Sequence, residues 1–394
     1  MNRDRLPRLL GACFALSALA VCAAHAAVPQ PTFASQADYN VGTFAGPFSD
    51  ENLMVAGDFR NTGRPDLMVV NYYVPGVTLM LNNGDGTFQS PGKQIASGLP
   101  VIGTLAVGDF NGDGNLDFIA DSFSTMYVML GDGKGNFTLK ASYPIFQAAQ
   151  TDIAVHDFNN DGILDVVVDT PTGVQAMLGK GDGTFTTGPF TSMLFPQGDT
   201  FTLASVAVAN CNNDGIADLY VSIVDTDTVW ALKGNGDGSF TPVGSGSTSI
   251  VPGSVYAGRF RQGAPTPDAG AVLAGTTPSL SMSYLKSDGQ CGFLPTVAFN
   301  AGFGIDSASV GDFNRDGNLD DVSSATAQST EVLLLGDGTG NFVGGPDLSV
   351  APGVIFPQTP VVADFNGDGK PDIATINVNL VGLTTIAVML NTTH

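Results

Sequence analysis

After residue 27 the chain alternates short apolar runs with clusters of Gly, Asp, Asn and Pro, and it shows no stretch of helical periodicity. The runs are three to five residues long and rich in β-branched and aliphatic side chains, which reads as short strands. Leu105-Ala106-Val107 precedes a polar phrase, Asp-Phe-Asn-Gly-Asp-Gly-x-x-Asp, and a second run of the type Val166-Val167-Val168 follows it. A third run ends in Met-Leu, as in Val128-Met129-Leu130 and Ala176-Met177-Leu178, and a fourth starts at the Phe after a Gly-Asp-Gly turn. The polar phrase, complete or worn, begins at Asp58, Asp109, Asp157, Asn210, Arg259, Asp312 and Asp364, so successive starts lie 48 to 53 residues apart. Four strands in each of seven such units predict an all-β fold, a seven-bladed β-propeller of four-stranded blades filling residues 27–394 as one domain.

The two ends of the pattern fit together. The last unit stops at Val388-Met389-Leu390-Asn391, after its third strand. Thr32-Phe33 resembles Thr87-Phe88, Thr184-Phe185 and Ser239-Phe240, which open fourth strands elsewhere. Residues near 32–40 are therefore expected to complete the seventh blade, which removes the exposed edges of an open array.

Residues 1–26 read as a signal peptide. Arg3, Arg5 and Arg8 form a basic head, Leu9 to Cys22 is apolar but too short to span a bilayer, and Ala24-His25-Ala26 places cleavage before Ala27. Val21 is a poor residue before a lipidated cysteine, so Leu19 to Cys22 is not taken as a lipid anchor. No later segment is long and apolar enough to span a membrane, so a secreted, periplasmic or cell-surface protein is expected. Losing three Arg and one Asp with residues 1–26 takes the formal net charge from −22 to −24, which argues against nucleic acid and anionic membranes as partners. Of the 37 acidic residues only Glu51 and Glu331 are Glu. Solubility would not select between the two acids, whereas the short Asp suits tight turns and metal loops.

The polar phrase carries candidate chemistry. In Asp109-Phe110-Asn111-Gly112-Asp113-Gly114-Asn115-Leu116-Asp117, oxygen side chains fall at positions 1, 3, 5 and 9, and the position-7 carbonyl of Asn115 can turn inward. Six to eight hard oxygens suit Ca²⁺. The pattern recurs at Asp157, Asn159, Asp161, Ile163 and Asp165; at Asn210, Asn212, Asp214, Ile216 and Asp218; at Asp312, Asn314, Asp316, Asn318 and Asp320; and at Asp364, Asn366, Asp368, Lys370 and Asp372. Five ions are expected, with the weakest site in blade 4, whose loop has two carboxylates. They would bring the charge from −24 to −14. Arg60 and Thr62 replace positions 3 and 5 in the first unit, and Arg259 replaces the first Asp in the fifth, where Asp268 survives, so no metal is expected there. The Phe at position 2 reads as core between blades; Cys211 takes its place in the fourth unit and is expected to be buried. Cys211 and Cys291 could pair in an exported protein, or could be separate core and turn residues.

At these loops and the Gly-Asp-Gly turns, residues 32–394 resemble the FG-GAP/VCBS repeat family, the repeats of the integrin α-chain propeller. The resemblance implies calcium in the loops between first and second strands, at the rim of one face, and ligands at the opposite face. It also implies a second possibility, since some fungal lectins of similar repeat type bind sugars between blades.

The opposite face would carry the turns between second and third strands. Tyr72, Tyr73, Asp121, Phe123, Asp169 and Asp225 are candidate ligand groups there, able to stack on and hydrogen-bond a sugar or anchor a protein. Aromatics in these segments have the alternative of packing between blades. Beyond residue 26 the histidines are His156 and His394, and no nucleophile-elbow, H-E-x-x-H or Walker motif is present. The sequence therefore points to a monomeric, non-catalytic binding module for an extracellular glycan or cell-surface polymer. The alternatives are a protein-binding adhesion or scaffold protein and a carboxylate-dependent hydrolase or lyase.

Overall fold

In the computed structural model, the residues described are 28–41, 53–70, 75–96, 98–100, 102–122, 124–145, 152–193, 203–248, 251–264, 266–273, 282–299, 305–325, 328–350, 354–379 and 384–394. The expected signal peptide, Tyr72, Tyr73 and Phe123 lie outside them. The strands form seven antiparallel sheets, each built from strands consecutive in the chain except at the closure. Blade 2 is typical: Thr104–Gly108, Asp117–Asp121, Thr125–Gly131 and Phe137–Pro144 pair in that order. The first strands touch in circular order around the ring axis, with Val354–Ala363 of blade 7 meeting Met54–Gly57 of blade 1.

The closure follows the expectation. Ala37–Asn40 pairs with Thr384–Met389, the third strand of blade 7, in the register Ala37↔Val388 to Asn40↔Thr385. Phe33 bridges Asn391, and Thr392 donates its N–H to Thr32 O at 2.7 Å. The fourth strand starts at the expected Phe in blades 2, 3, 4 and 6, at Phe137, Phe185, Phe240 and Phe342. In blades 1 and 5 it starts later, at Lys93 and Val297, and Phe88 and Phe293 are held by single bridges. Pro91 and Pro295 interrupt the ladder there, because proline has no N–H to give. In blade 6 the outer strand is split into Phe342–Gly344 and Leu348–Ser349, around Gly345-Pro346.

The position-2 phenylalanines join the blades. Phe59, Phe110, Phe158, Phe260, Phe313 and Phe365 are all buried. Each packs on the Phe that follows the Gly-Asp-Gly-type turn of the next blade, or on Phe33 in the closing segment. Centroid separations are 5.8 Å for Phe59–Phe137, 5.7 Å for Phe110–Phe185, 5.5 Å for Phe158–Phe240 and Phe260–Phe342, 6.2 Å for Phe313–Phe33 and 5.6 Å for Phe365–Phe88. Such pairs contribute about 0.5–1.5 kcal/mol each beyond their area. At the seventh junction the same place is taken by a disulfide, Cys211–Cys291, which settles the alternative left open by the sequence and clasps blade 4 to blade 5.

Candidate functional site: acidic loops and an axial cavity

Each acidic loop starts where a first strand ends and closes on an Asp that opens the second strand. The register fixes this: Gly108 pairs with Asp117, His156 with Asp165, Ala209 with Asp218, Gly311 with Asp320 and Ala363 with Asp372. These position-9 carboxylates are fully buried. One oxygen of Asp117 accepts the Phe110 N–H at 2.9 Å, and the other accepts the Gly131 N–H at 2.8 Å. The equivalent pairs of donors are Phe158 and Gly179 on Asp165, Cys211 and Gly234 on Asp218, Phe313 and Gly336 on Asp320, and Phe365 and Asn391 on Asp372. The second donor was not anticipated from the sequence. Its signal is the Gly that closes the third strand: a Cβ on Gly131, Gly179, Gly234 or Gly336 would lie 2.1–2.2 Å from a backbone carbonyl oxygen of its own blade. Burial pushes these carboxyls up despite the amides, Asp117 and Asp372 to about 6 and Asp320 to about 7.

The rest of the loop is pre-shaped by its own amides. Asp109 Oδ1 accepts the N–H groups of Gly112 and Asp113 at 2.8 and 3.2 Å, and Oδ2 accepts that of Gly114 at 2.8 Å. Gly114 sits at φ +84°, which supplies the sharp turn. Asn111 Nδ2 donates to Asp113 Oδ2 at 3.0 Å, so positions 3 and 5 converge. Asp157, Asp312 and Asp364 head loops built the same way. In blade 4 the position-1 residue is Asn210, whose Oδ1 is buried with no hydrogen-bond partner. A buried acceptor left without a partner fits a cation, as does the oxygen chemistry of the donor set in the other four loops. Two loops differ in carrying an ammonium on the position-5 carboxylate: Lys233 lies 3.2 Å from Asp214, and Lys370 lies 3.2 Å from Asp368.

Blades 1 and 5 settle the same buried acid differently. Arg60 forks onto Asp66 with Nε and the terminal nitrogen at 2.6–3.2 Å, and its terminal nitrogen also donates to Asn82 O at 2.6 Å. Arg261 makes the same fork onto Asp268 and donates to Ser287 O at 2.6 Å, while Arg259, at position 1, donates to Ala264 O at 2.9 Å. Arg60 and Arg261 both stand at position 3.

Among the described residues, one group of His, Cys, Asp or Glu brings three potential ligand atoms within 4.8 Å of one another: Cys211, Asp218 and Cys291. Its cysteines are spent in the disulfide and offer no thiolate.

The opposite end of the ring departs from expectation. Asp225 is exposed, in a 3₁₀ turn over Val224–Thr226. Asp121 and Asp169, expected to face a ligand at the surface, are instead buried at the far ends of their second strands. Alternation along a strand cannot expose a residue when both faces of the blade are covered by neighbours. Asp169 Oδ1 accepts the N–H of Asp152 at 3.0 Å. Burial, then the nearby Asp152, drives the Asp169 carboxyl well above the usual range. Asp152 in turn lines a cavity of about 380 Å³ on the ring axis, to which all seven first strands or the residues just before them contribute.

An FG-GAP-like repeat model matches residues 58–120, 118–168, 157–221 and 319–375. No curated protein sequence matches the chain. Among solved structures, the chain is similar to an Agrocybe aegerita lectin described as specifically recognising non-reducing terminal N-acetylglucosamine, at 18% identity and TM-score 0.53, over 80% of this chain and 90% of that one. It is also similar to BBS1N in complex with ARL6DN, in two crystals, at 8% and 9% identity and TM-scores 0.59 and 0.61, over 92% and 91% of this chain and 97% of the other. At these identities the likeness is one of fold. Among the described residues, no helix is long and apolar enough to cross a membrane.

Proposed function

The chain belongs to the FG-GAP-like repeat family, and from that premise we propose that it is an exported, calcium-loaded propeller acting as a non-catalytic binding module for an extracellular glycan or cell-surface polymer. The observation that carries the reading is the division of the ring into two ends. One end holds five loops of hard oxygen donors; the other holds the turns and blade connections, including the exposed Asp225. Asp109, Asn111, Asp113, Asp117 and the Asn115 carbonyl would hold the ion of blade 2, with the matching residues in blades 3, 4, 6 and 7. A bound divalent ion supplies the positive charge that the buried position-9 carboxylates lack, so its role here is to hold the ring rigid. The glycan preference draws on the lectin that shares the fold.

A protein-binding role is the second reading, favoured by the fold shared with BBS1N, which was crystallised with ARL6DN. A glycoside hydrolase needs two carboxylates flanking one bond. A single charged side chain, Asp152, lines the axial cavity among the described residues, which favours a binding role over a hydrolytic one. The test is a glycan array probed with residues 27–394 in millimolar calcium and again with chelator. Calcium-dependent binding to one sugar class supports the glycan reading. Silence from a folded, calcium-loaded sample removes it and turns the search to protein partners.

A further inference from the structure

The axial cavity has two unlike walls. Met54, Val55, Val107, Val361 and Val362 make one side apolar. The other side carries hydroxyls, among them Ser254 and Ser309, and, among the described residues, one charged group, Asp152, with no Lys or Arg. Asp152 is fixed in place. Its Oδ1 accepts the Ile153 N–H at 2.8 Å, and its Oδ2 accepts Ser205 Oγ and the Val206 N–H, both at 3.0 Å. It immediately precedes the first strand of blade 3, Ile153–His156, and first strands run toward their acidic loops, so it stands at the end of the axis away from them. Behind it Asp169 is 1% exposed and its Oδ2 has no hydrogen-bond partner. Burial favours the neutral form of that carboxyl, so the charged group facing the cavity at this end is Asp152.

The chemistry narrows the cation. Calcium wants six to eight oxygens, whereas Asp152 is the one carboxylate lining the cavity among the described residues. A neutral sugar brings no charge. An ammonium needs about three acceptors, and an alkyl stem needs an apolar wall; the cavity offers both. A volume of about 380 Å³ is of the size that holds a small organic ligand.

We propose that the axial cavity binds a primary alkylammonium group, with Asp152 as its counter-ion, the Ser254 and Ser309 hydroxyls as neutral partners and the apolar wall as the seat of the stem. Asp169 is a positioning residue that holds the Asp152 backbone. The site is separate from the calcium loops and does not depend on the glycan reading.

The probe is 1,5-diaminopentane, titrated by calorimetry into residues 27–394 in saturating calcium and 0.15 M salt, beside 1-pentanol and tetramethylammonium. The expected result is saturable, one-to-one binding of the amine and none of the two controls. Asp152→Asn, which keeps an acceptor for Ser205, is expected to weaken binding by about 20-fold or more, as loss of a charge-assisted contact does. Should that variant fail to fold, Ser254→Ala with Ser309→Ala is expected to cost about 3- to 10-fold, by the loss of two neutral hydrogen bonds. Equal binding of tetramethylammonium or of 1-pentanol, unchanged amine affinity in both variants, or no amine binding to the wild-type protein would each overturn the proposal.

Discussion

Blades 1 and 2 are neighbours with the same strand order, the same buried Phe at position 2 and the same buried Asp at position 9. They differ in how that Asp is kept from being a bare charge. In blade 2, Asp117 takes two backbone N–H groups and stands beside Asp109 and Asp113, so the loop accumulates negative charge that a cation would neutralise. In blade 1, Asp66 takes the Arg60 fork and the Asn82 N–H, and the counter-charge is covalently part of the chain. Blade 5 repeats the second solution with Arg261. The degenerate blades also lean on intact ones: Asn61 donates to Asn115 Oδ1 at 2.7 Å, and Gln262 donates to Asn318 Oδ1 at 2.9 Å, in each case at position 7 of the next loop. Under the calcium proposal one fold node would have an ion-dependent form and an ion-independent form, and a worn motif would be a substitution of one for the other rather than decay.

The strongest way to break the comparison is to remove the ion. Ions binding only the folded state stabilise it by mass action, about 4 kcal/mol per site at a thousandfold excess over Kd. Thorough chelation should lower the melting temperature by about 10 °C or more, read by scanning calorimetry. An unchanged melting temperature would remove the calcium assignment and leave the two kinds of blade equivalent. Next in size is Arg60→Met, which strands a buried carboxylate and should cost about 3–5 kcal/mol in urea unfolding. That loss should be the same in calcium and in chelator, whereas an Asp113→Ala loss should be seen in calcium alone. Arg261→Met should cost less, because the Tyr284 hydroxyl also donates to Asp268, at 2.5 Å.

A third kind of buried acid sharpens the contrast, because among the described residues it has neither an amide cradle nor an arginine. Glu331 accepts hydrogen bonds from Ser324 and, across the blade boundary, from Thr375. Burial raises its carboxyl to about 7 from an ordinary 4.5. Between those values the folded state binds more protons than the unfolded one, so stability falls as pH rises through that window. Glu331→Gln should flatten this slope and gain about 1–3 kcal/mol at pH 8 relative to pH 4, measured by urea unfolding at both. The smallest expected effect concerns blade 7, where Lys370 already sits on Asp368. Lys370→Met should raise the affinity of one calcium site about two- to fivefold at low salt, by equilibrium dialysis, since a solvent-screened, partly exposed pair contributes about 1 kcal/mol or less.

The seven units, their four strands and the five oxygen-rich loops were written in local patterns, a phrase of nine residues, an alternation of short runs and a repeat of about fifty, and the closure through residues near 32–40 was legible because the last unit lacks the fourth strand that the repeat requires. Neighbours in sequence are neighbours in space within a turn or hairpin, so spacing alone sets these features. What the sequence left open depends on residues far apart along the chain. That Cys211 meets Cys291 across a sequence separation of 80 follows from blade 4 lying against blade 5, where the other junctions place two phenylalanines. That Arg261, and not Arg259, answers Asp268 depends on which side of the loop faces the blade interior. Asp121 and Asp169 looked like surface groups because their strands end in polar turns, yet packing on both faces of each blade buries them. The axial cavity exists only once seven first strands stand around one axis, and no single repeat encodes it.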